Sequence, residues 1–106
     1  MGLNFYAGSQ ASTTSEANFF AVTVSGHHSF KINLTPMQAG DKIRINVYDY
    51  DATGAAYVLE DQYEFENVQA FPHYSTHWVC SQQYKVTIQR LAGTDRTYNY
   101  TRLEVT

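Results

Sequence analysis

Hydrophobic and polar residues alternate along most of the chain with a period of two. In the clearest example Ile43, Ile45 and Val47 share one side, and the polar residues between them share the other. Similar runs recur about every ten residues, separated by glycine, proline, asparagine and aspartate, which is the pattern of short strands joined by turns. Because no run has the period of an amphipathic helix, the sequence predicts an all-β protein of about seven or eight strands.

Strands at this spacing are typical of a two-sheet antiparallel β-sandwich, with an immunoglobulin-like strand order or, alternatively, that of a jelly roll. The run at 56–65 is predicted to be one strand, bent near Glu60. The chain is predicted to close with a hairpin whose turn covers 92–95. In its last strand Tyr98 and Tyr100 share one face but Leu103 and Val105 the other. This change of phase predicts a bulge, or a strand that passes from one sheet to the other.

A length of 106 residues corresponds to one domain, over residues 1–106. The segment from Gly8 to Ser15 consists of small and mainly polar residues. Such a composition is typical of a loop. We therefore predict a polar N-terminal loop or arm over residues 8–17.

Charge and composition argue against several classes of protein. The formal net charge is −3 and no run of lysine or arginine occurs, which disfavours nucleic-acid binding. No apolar stretch approaches the ~20 residues of a membrane-spanning helix, and the N-terminus lacks the pattern of a signal peptide. Cys80 is the single cysteine, so an internal disulfide is excluded and the fold depends on packing and hydrogen bonds.

Residues 29–49 contain two alternating runs joined by Leu34-Thr35-Pro36-Met37-Gln38-Ala39-Gly40-Asp41. This stretch resembles the immunoglobulin-like modules of bacterial and phage surface and virion proteins. The resemblance covers about half of the chain when the closing pair of runs is included. In those modules the matching stretch usually lies near the end, whereas here it lies in the first half, so a jelly-roll order stays open. The resemblance implies surface display, adhesion or virion architecture, and it favours a virion or cell-surface location.

Two short motifs contain residue types that bind metals. Asp49, Asp51 and Thr53 precede Gly54 in a D-x-D-x-T-G pattern, whose carboxylates can turn toward calcium in a tight loop. The alternative is a solvated turn in which the aspartates accept hydrogen bonds from nearby backbone N–H groups. We favour the turn and expect no cofactor, with calcium as the alternative.

The second motif, H-x3-H-x2-C, is formed by His73, His77 and Cys80. Zinc prefers these ligand types, but structural zinc sites normally contain more closely paired ligands. We favour histidines on a loop or strand beside a thiol. The chain has neither a glycine-rich phosphate loop nor a G-x-S-x-G motif. The sequence therefore predicts a protein that is not an enzyme.

Aromatic residues are the stronger functional signal. His73, Tyr74 and Trp78 cluster in an irregular segment, and Tyr84 follows shortly afterwards. Tyrosine and tryptophan rings can stack on a sugar or anchor a protein interface. The alternative is that Tyr74 and Trp78 close one end of the core.

Together these features predict a non-catalytic structural or assembly protein, a β-sandwich subunit that associates with itself or with another structural protein. Phage decoration, tail or capsid-associated proteins and surface filaments are the classes considered. A carbohydrate-binding module that uses exposed tryptophan and tyrosine is the alternative, and a metal-binding protein is a more distant one. Neither nucleic acid nor a membrane is expected as a partner.

Overall fold

The computed structural model describes residues 2–23, 25–51, 56–80 and 83–105 of the chain, without the side chains of 51 and 78–80. These residues form eight strands, in agreement with the alternating pattern of the sequence. The strands are β1 (Leu3–Ala11), β2 (Ala17–Val22), β3 (Gly26–Asn33), β4 (Lys42–Asp51), β5 (Ala56–Glu66), β6 (His73–Cys80), β7 (Tyr84–Ala92) and β8 (Thr97–Val105). Within the described part of the chain, no helix is long and apolar enough to span a membrane.

The strands form two four-stranded sheets, which we call sheet 1 and sheet 2. Sheet 1 has the order β1-β8-β3-β6 and sheet 2 the order β2-β7-β4-β5, and all the neighbouring strands are antiparallel. The first four strands therefore pair with the last four as β1–β8, β2–β7, β3–β6 and β4–β5. This is the strand order of a jelly roll. The two-sheet antiparallel sandwich is confirmed, with the jelly-roll order of the alternative rather than the immunoglobulin-like order.

The predicted closing hairpin is wrong, because β7 and β8 lie in different sheets. Packed sheets are about 10 Å apart, and the four residues 93–96 are long enough to cross that gap. Both strands bury one side in the same core, so their alternating patterns are those that a hairpin would also show. The connection from β2 to β3 changes sheets in the same way.

The core lies between the sheets and is built from the inward-facing residues of both. In β2 the register shifts between Asn18 and Phe20, which allows the adjacent Phe19 and Phe20 both to be buried. In β5 a register shift opposite Val47 confirms the irregularity predicted near Glu60. The buried hydrophobic residues are Phe19, Phe20, Phe30, Ile32, Leu34, Met37, Ile43, Ile45, Val47, Tyr84, Val86, Ile88 and Tyr98.

Strand β8 contains neither the bulge nor the crossing that its change of phase predicts. Its register with both β1 and β3 is continuous. Tyr98 and Glu104 are both buried on the inner face of sheet 1, whereas Leu103 and Val105 alternate with them and lie on the outer face. The change of phase arises because the inner face ends in a charged pair, Arg102 with Glu104, instead of apolar residues.

The polar segment predicted as a loop or arm over 8–17 is only partly a loop. Gly8 to Ala11 complete β1, and Ala17 begins β2. The intervening loop is tied to the domain at both ends. Ser12 exchanges two hydrogen bonds with Arg96, of 2.9 and 3.1 Å. Glu16 accepts hydrogen bonds from side chains on sheet 2, namely Asn46, Tyr48 and Thr87.

Candidate assembly surface

The two sheets end in four edge strands, β1 and β6 in sheet 1 and β2 and β5 in sheet 2. An edge strand has one row of backbone N–H and C=O groups without a neighbouring strand, and another chain can pair with that row. Soluble proteins normally protect such edges with charged residues, proline, bulges or a short strand. The four edges of this protein differ in how far they are protected.

Strand β1 has none of these protective features. Its nine residues, LNFYAGSQA, include no charged residue and no proline. They pair with β8 in continuous register from Leu3 with Val105 to Ala11 with Thr97. By contrast, β5 has a register shift and contains four acidic residues, and β2 is only six residues long with a register shift of its own. Strand β6, HYSTHWVC, is similar to β1 in that it contains no acidic residue, lysine, arginine or proline and pairs in continuous register, but it is one residue shorter and contains two histidines. Strand β1 is therefore an unprotected edge, suited to pairing with a further strand.

The outer face of sheet 1 is apolar where β1 begins. Leu3 and Phe5 project from it with 69% and 68% of their surface exposed. Their partners in register on β8 are Val105 and Leu103, so the four side chains are neighbours on that face. We call these four residues the β1 patch. Contiguous exposed apolar surface of this kind marks interaction sites more often than single exposed residues do.

On the inner side, β1 is held by Tyr6 and a buried charge. The guanidinium group of Arg102 lies 3.8 Å from the centre of the Tyr6 ring and 5.0 Å from that of Phe20. Arg102 also forms an ion pair with Glu104 and donates a hydrogen bond of 3.2 Å to the Tyr84 hydroxyl. These contacts tie β1 to β8 and to sheet 2, so the edge is presented by a supported strand.

The predicted aromatic site is not assembled as one surface. Tyr84 is fully buried against Phe20 and His28, and Tyr74 packs inward against Tyr63 and Phe65. Tyr84 therefore has no exposed face for a sugar or partner, whereas Tyr74 is partly exposed. The role of these rings as ligand or interface aromatics stays a prediction.

His73 is exposed at the start of β6, and the side chain of Trp78 lies outside the described part of the structure. The segment described above as irregular contains the regular strand β6, which begins after Pro72. Its alternation was hard to recognise because aromatic and polar residues occupy both faces.

The candidate metal residues fall partly outside the described structure. Asp49 is half-buried on β4, while Thr53 and the side chain of Asp51 are not described. Nearby, burial together with the carboxylates of Asp49 and Asp61 raises the pKa of Glu60. Among the described residues, no group of three or more histidine, cysteine, aspartate or glutamate side chains is arranged to hold a metal ion.

The sequence did not single out β1 as the candidate surface. Its absence of charge and proline was visible, but only the topology places β1 at an edge. A second feature missed from the sequence is Asp41, whose side chain joins several loops at one end of the sandwich.

No protein-family model and no curated protein matches this sequence. The fold is similar to that of a protein from the disulfide-linked pili known as Bacillus endospore appendages. The two chains are 15% identical over 98% of this chain and 87% of the other, with a TM-score of 0.64. It is also similar to the Yersinia pseudotuberculosis-derived mitogen, at 11% identity over 99% of this chain and 86% of the other, with a TM-score of 0.51. At these identities the similarities establish the fold alone.

Proposed function

We propose that this protein is a non-catalytic structural subunit that assembles with copies of itself into a surface filament. The observation that carries the proposal is the unprotected edge of β1, a nine-residue strand without charge or proline. A strand from another copy that pairs with β1 extends sheet 1 through main-chain hydrogen bonds, a recurring mode of protein recognition. The similarity in fold to a pilus protein supports the filament, since it shows that this architecture occurs in such an assembly.

The assembly that we propose is held mainly by non-covalent contacts. The similar protein belongs to pili described as disulfide-linked, but this chain contains one cysteine, Cys80. One thiol in each copy can join copies only in pairs, because each disulfide consumes two thiols. Disulfides between copies of this chain therefore cannot by themselves link a continuous polymer, and strand pairing supplies the contact instead.

The proposal is tested by light scattering on the purified protein over a range of concentrations. Wild-type protein is expected to form oligomers or filaments whose mass rises with concentration. In Ser9→Lys a charge is placed on an exposed position in the second half of β1, where lysine opposes the pairing of a further strand. This variant is expected to stay small, whereas the matched control Ser9→Thr assembles as the wild type does. A wild-type protein that is monomeric at every concentration would overturn the proposal.

A further inference from the structure

The loop between β5 and β6, residues 67–72, displays two apolar side chains to solvent. Phe71 has 86% of its surface exposed and Val68 has 64%. An aromatic ring this exposed is unusual on a monomeric protein, because burying it in a partner removes a large apolar area from water. We call this segment the Phe71 loop.

Both ends of the Phe71 loop are fastened to the domain. The backbone N–H of Asn67 donates to the carbonyl of Asp41 at 2.8 Å, and the Asn67 side chain accepts from the Gly40 N–H at 2.8 Å. At the other end the N–H of Leu34 donates to the carbonyl of Pro72 at 2.5 Å. A loop fixed in this way presents Phe71 with little conformational entropy left to lose on binding.

The Phe71 loop and the β1 patch lie at opposite ends of the molecule. The loop leads directly into His73, which pairs with Asn33 at one end of sheet 1. At the other end Val105 lies between Leu3 and His27. The long dimension of the molecule is 41 Å. One end thus projects an apolar ring, and the outer face near the other end is apolar.

The loop and β1 are also both uncharged. Neither the loop sequence NVQAFP nor β1 contains a charged residue, so no charge has to be removed from water when these two segments meet. Beside the β1 patch, the outer face of sheet 1 has a shallow groove lined in part by Phe5, Leu103, Ser29 and Ser75. Lys31 borders the same groove and can keep its ammonium group in water.

We infer that the Phe71 loop of one copy packs into this groove, against the β1 patch of a second copy. This inference rests on the proposed self-assembly: the loop contact and strand pairing at the edge of β1 act together at each junction between two copies, and loss of either stops growth of the filament. Two different surfaces meet in the loop contact, so this contact is heterologous and leaves a free loop and a free patch at the two ends. Such a contact extends into an open chain when the rotation between successive copies does not close a ring.

Two variants, each of which lacks one surface, test this contact. Phe71→Ser removes the projecting ring and Phe5→Ser weakens the patch; both side chains are exposed, so the fold is expected to persist and is checked by circular dichroism. Each variant alone is expected to lose growth along the chain, with association weakened about tenfold or more. Phe71→Leu is the matched control, since it keeps an apolar side chain in the same loop.

Mixing the two variants gives the decisive result. The intact loop of Phe5→Ser should dock on the intact patch of Phe71→Ser, so an equal mixture forms 1:1 complexes that cannot grow. Native mass spectrometry with one variant isotopically labelled measures the composition of these complexes. If wild type assembles but Phe71→Ser assembles to the same length, or if mixing produces no 1:1 complex, the contact is wrong while the proposed self-assembly stands. If wild type itself never assembles, the proposed function fails as well.

Discussion

The carboxylate of Asp41 accepts a hydrogen bond of 2.5 Å from the Nε of Arg96, although the two residues are 55 positions apart. Asp41 precedes β4 and Arg96 precedes β8, so the bond joins the two sheets at one end of the sandwich. The same carboxylate accepts from the backbone N–H groups of Gln38 at 2.9 Å and Thr94 at 3.1 Å. Asp41 is 2% exposed. Its buried carboxylate therefore holds the connection between β7 and β8 against the loop that precedes β4.

Replacing the carboxylate of Asp41 is expected to destabilise the fold. Asp41→Asn keeps the size of the side chain but removes its charge and turns an amide N–H₂ group toward hydrogen-bond donors. Loss of a hydrogen bond to a charged group and burial of an unsatisfied polar group each cost about 1–3 kcal/mol. We therefore expect the free energy of unfolding to fall by about 2–3 kcal/mol. Urea denaturation measures the change.

Asp95→Asn is the matched control for this variant. It removes the exposed ion pair between Asp95 and Arg90, at 2.6 Å, and should cost less than about 1 kcal/mol. Equal effects for the two variants would show that Asp41 is no more important than a surface residue.

The same carboxylate predicts how stability depends on pH. The hydrogen bond from Arg96, followed by the backbone N–H of Gln38, lowers the pKa of Asp41 from 3.8 to about 2. Because the folded pKa is the lower one, the contribution of Asp41 is complete above about pH 4 and is lost as pH falls toward about 2. The difference in stability between wild type and Asp41→Asn should shrink over this interval. A difference that stays constant from neutral pH to about pH 2 would contradict the assignment.

The buried pair at the other end of β8 gives a third prediction. The side chains of Arg102 and Glu104 are only 10% and 2% exposed. Glu104→Gln leaves the arginine buried without a counter-charge, which should cost about 3–5 kcal/mol in thermal or urea denaturation. The double variant Arg102→Met/Glu104→Leu removes both charges and should recover most of that loss.

Glu64→Gln is the control for the buried pair. Glu64 is an exposed residue paired with Lys42 at 3.5 Å and Arg44 at 2.8 Å, and its replacement should cost less than about 1 kcal/mol. If Glu104→Gln were as mild as Glu64→Gln, the pair could not be holding β8 against β1 and sheet 2.

Much of the fold could be predicted from the sequence, because alternation identifies a strand and its buried side. Ile43, Ile45 and Val47 are buried together as their pattern indicated. The pairing of strands could not be predicted in the same way. A turn such as 93–96 can return a strand to its own sheet or carry it to the other. Here the turn is held by Asp41, a residue distant in sequence, which accepts a hydrogen bond from the Thr94 N–H.

The candidate surface depends even more on topology. Tyrosine is a residue type common at protein interfaces, but the strand of Tyr84 lies next to β4 within sheet 2 and its ring is completely buried. Leu3 and Phe5 are residue types typical of a core. They nevertheless lie on the outer face of the edge strand β1, because the alternate residues, Asn4 and Tyr6, occupy its inner face. Whether a strand lies at an edge depends on the pairing of the whole sheet, and the local pattern of hydrophobic and polar residues does not predict that position.

The central claim, that copies assemble by pairing at the edge of β1, is tested most directly by hydrogen–deuterium exchange. In the monomer, the backbone N–H groups of Leu3–Ala11 that point away from β8 are open to solvent and should exchange fast. On assembly these N–H groups should become protected, while Ser9→Lys, at the same concentration, keeps the fast exchange of the monomer. An assembled protein in which β1 exchanges as fast as in the monomer would contradict the account.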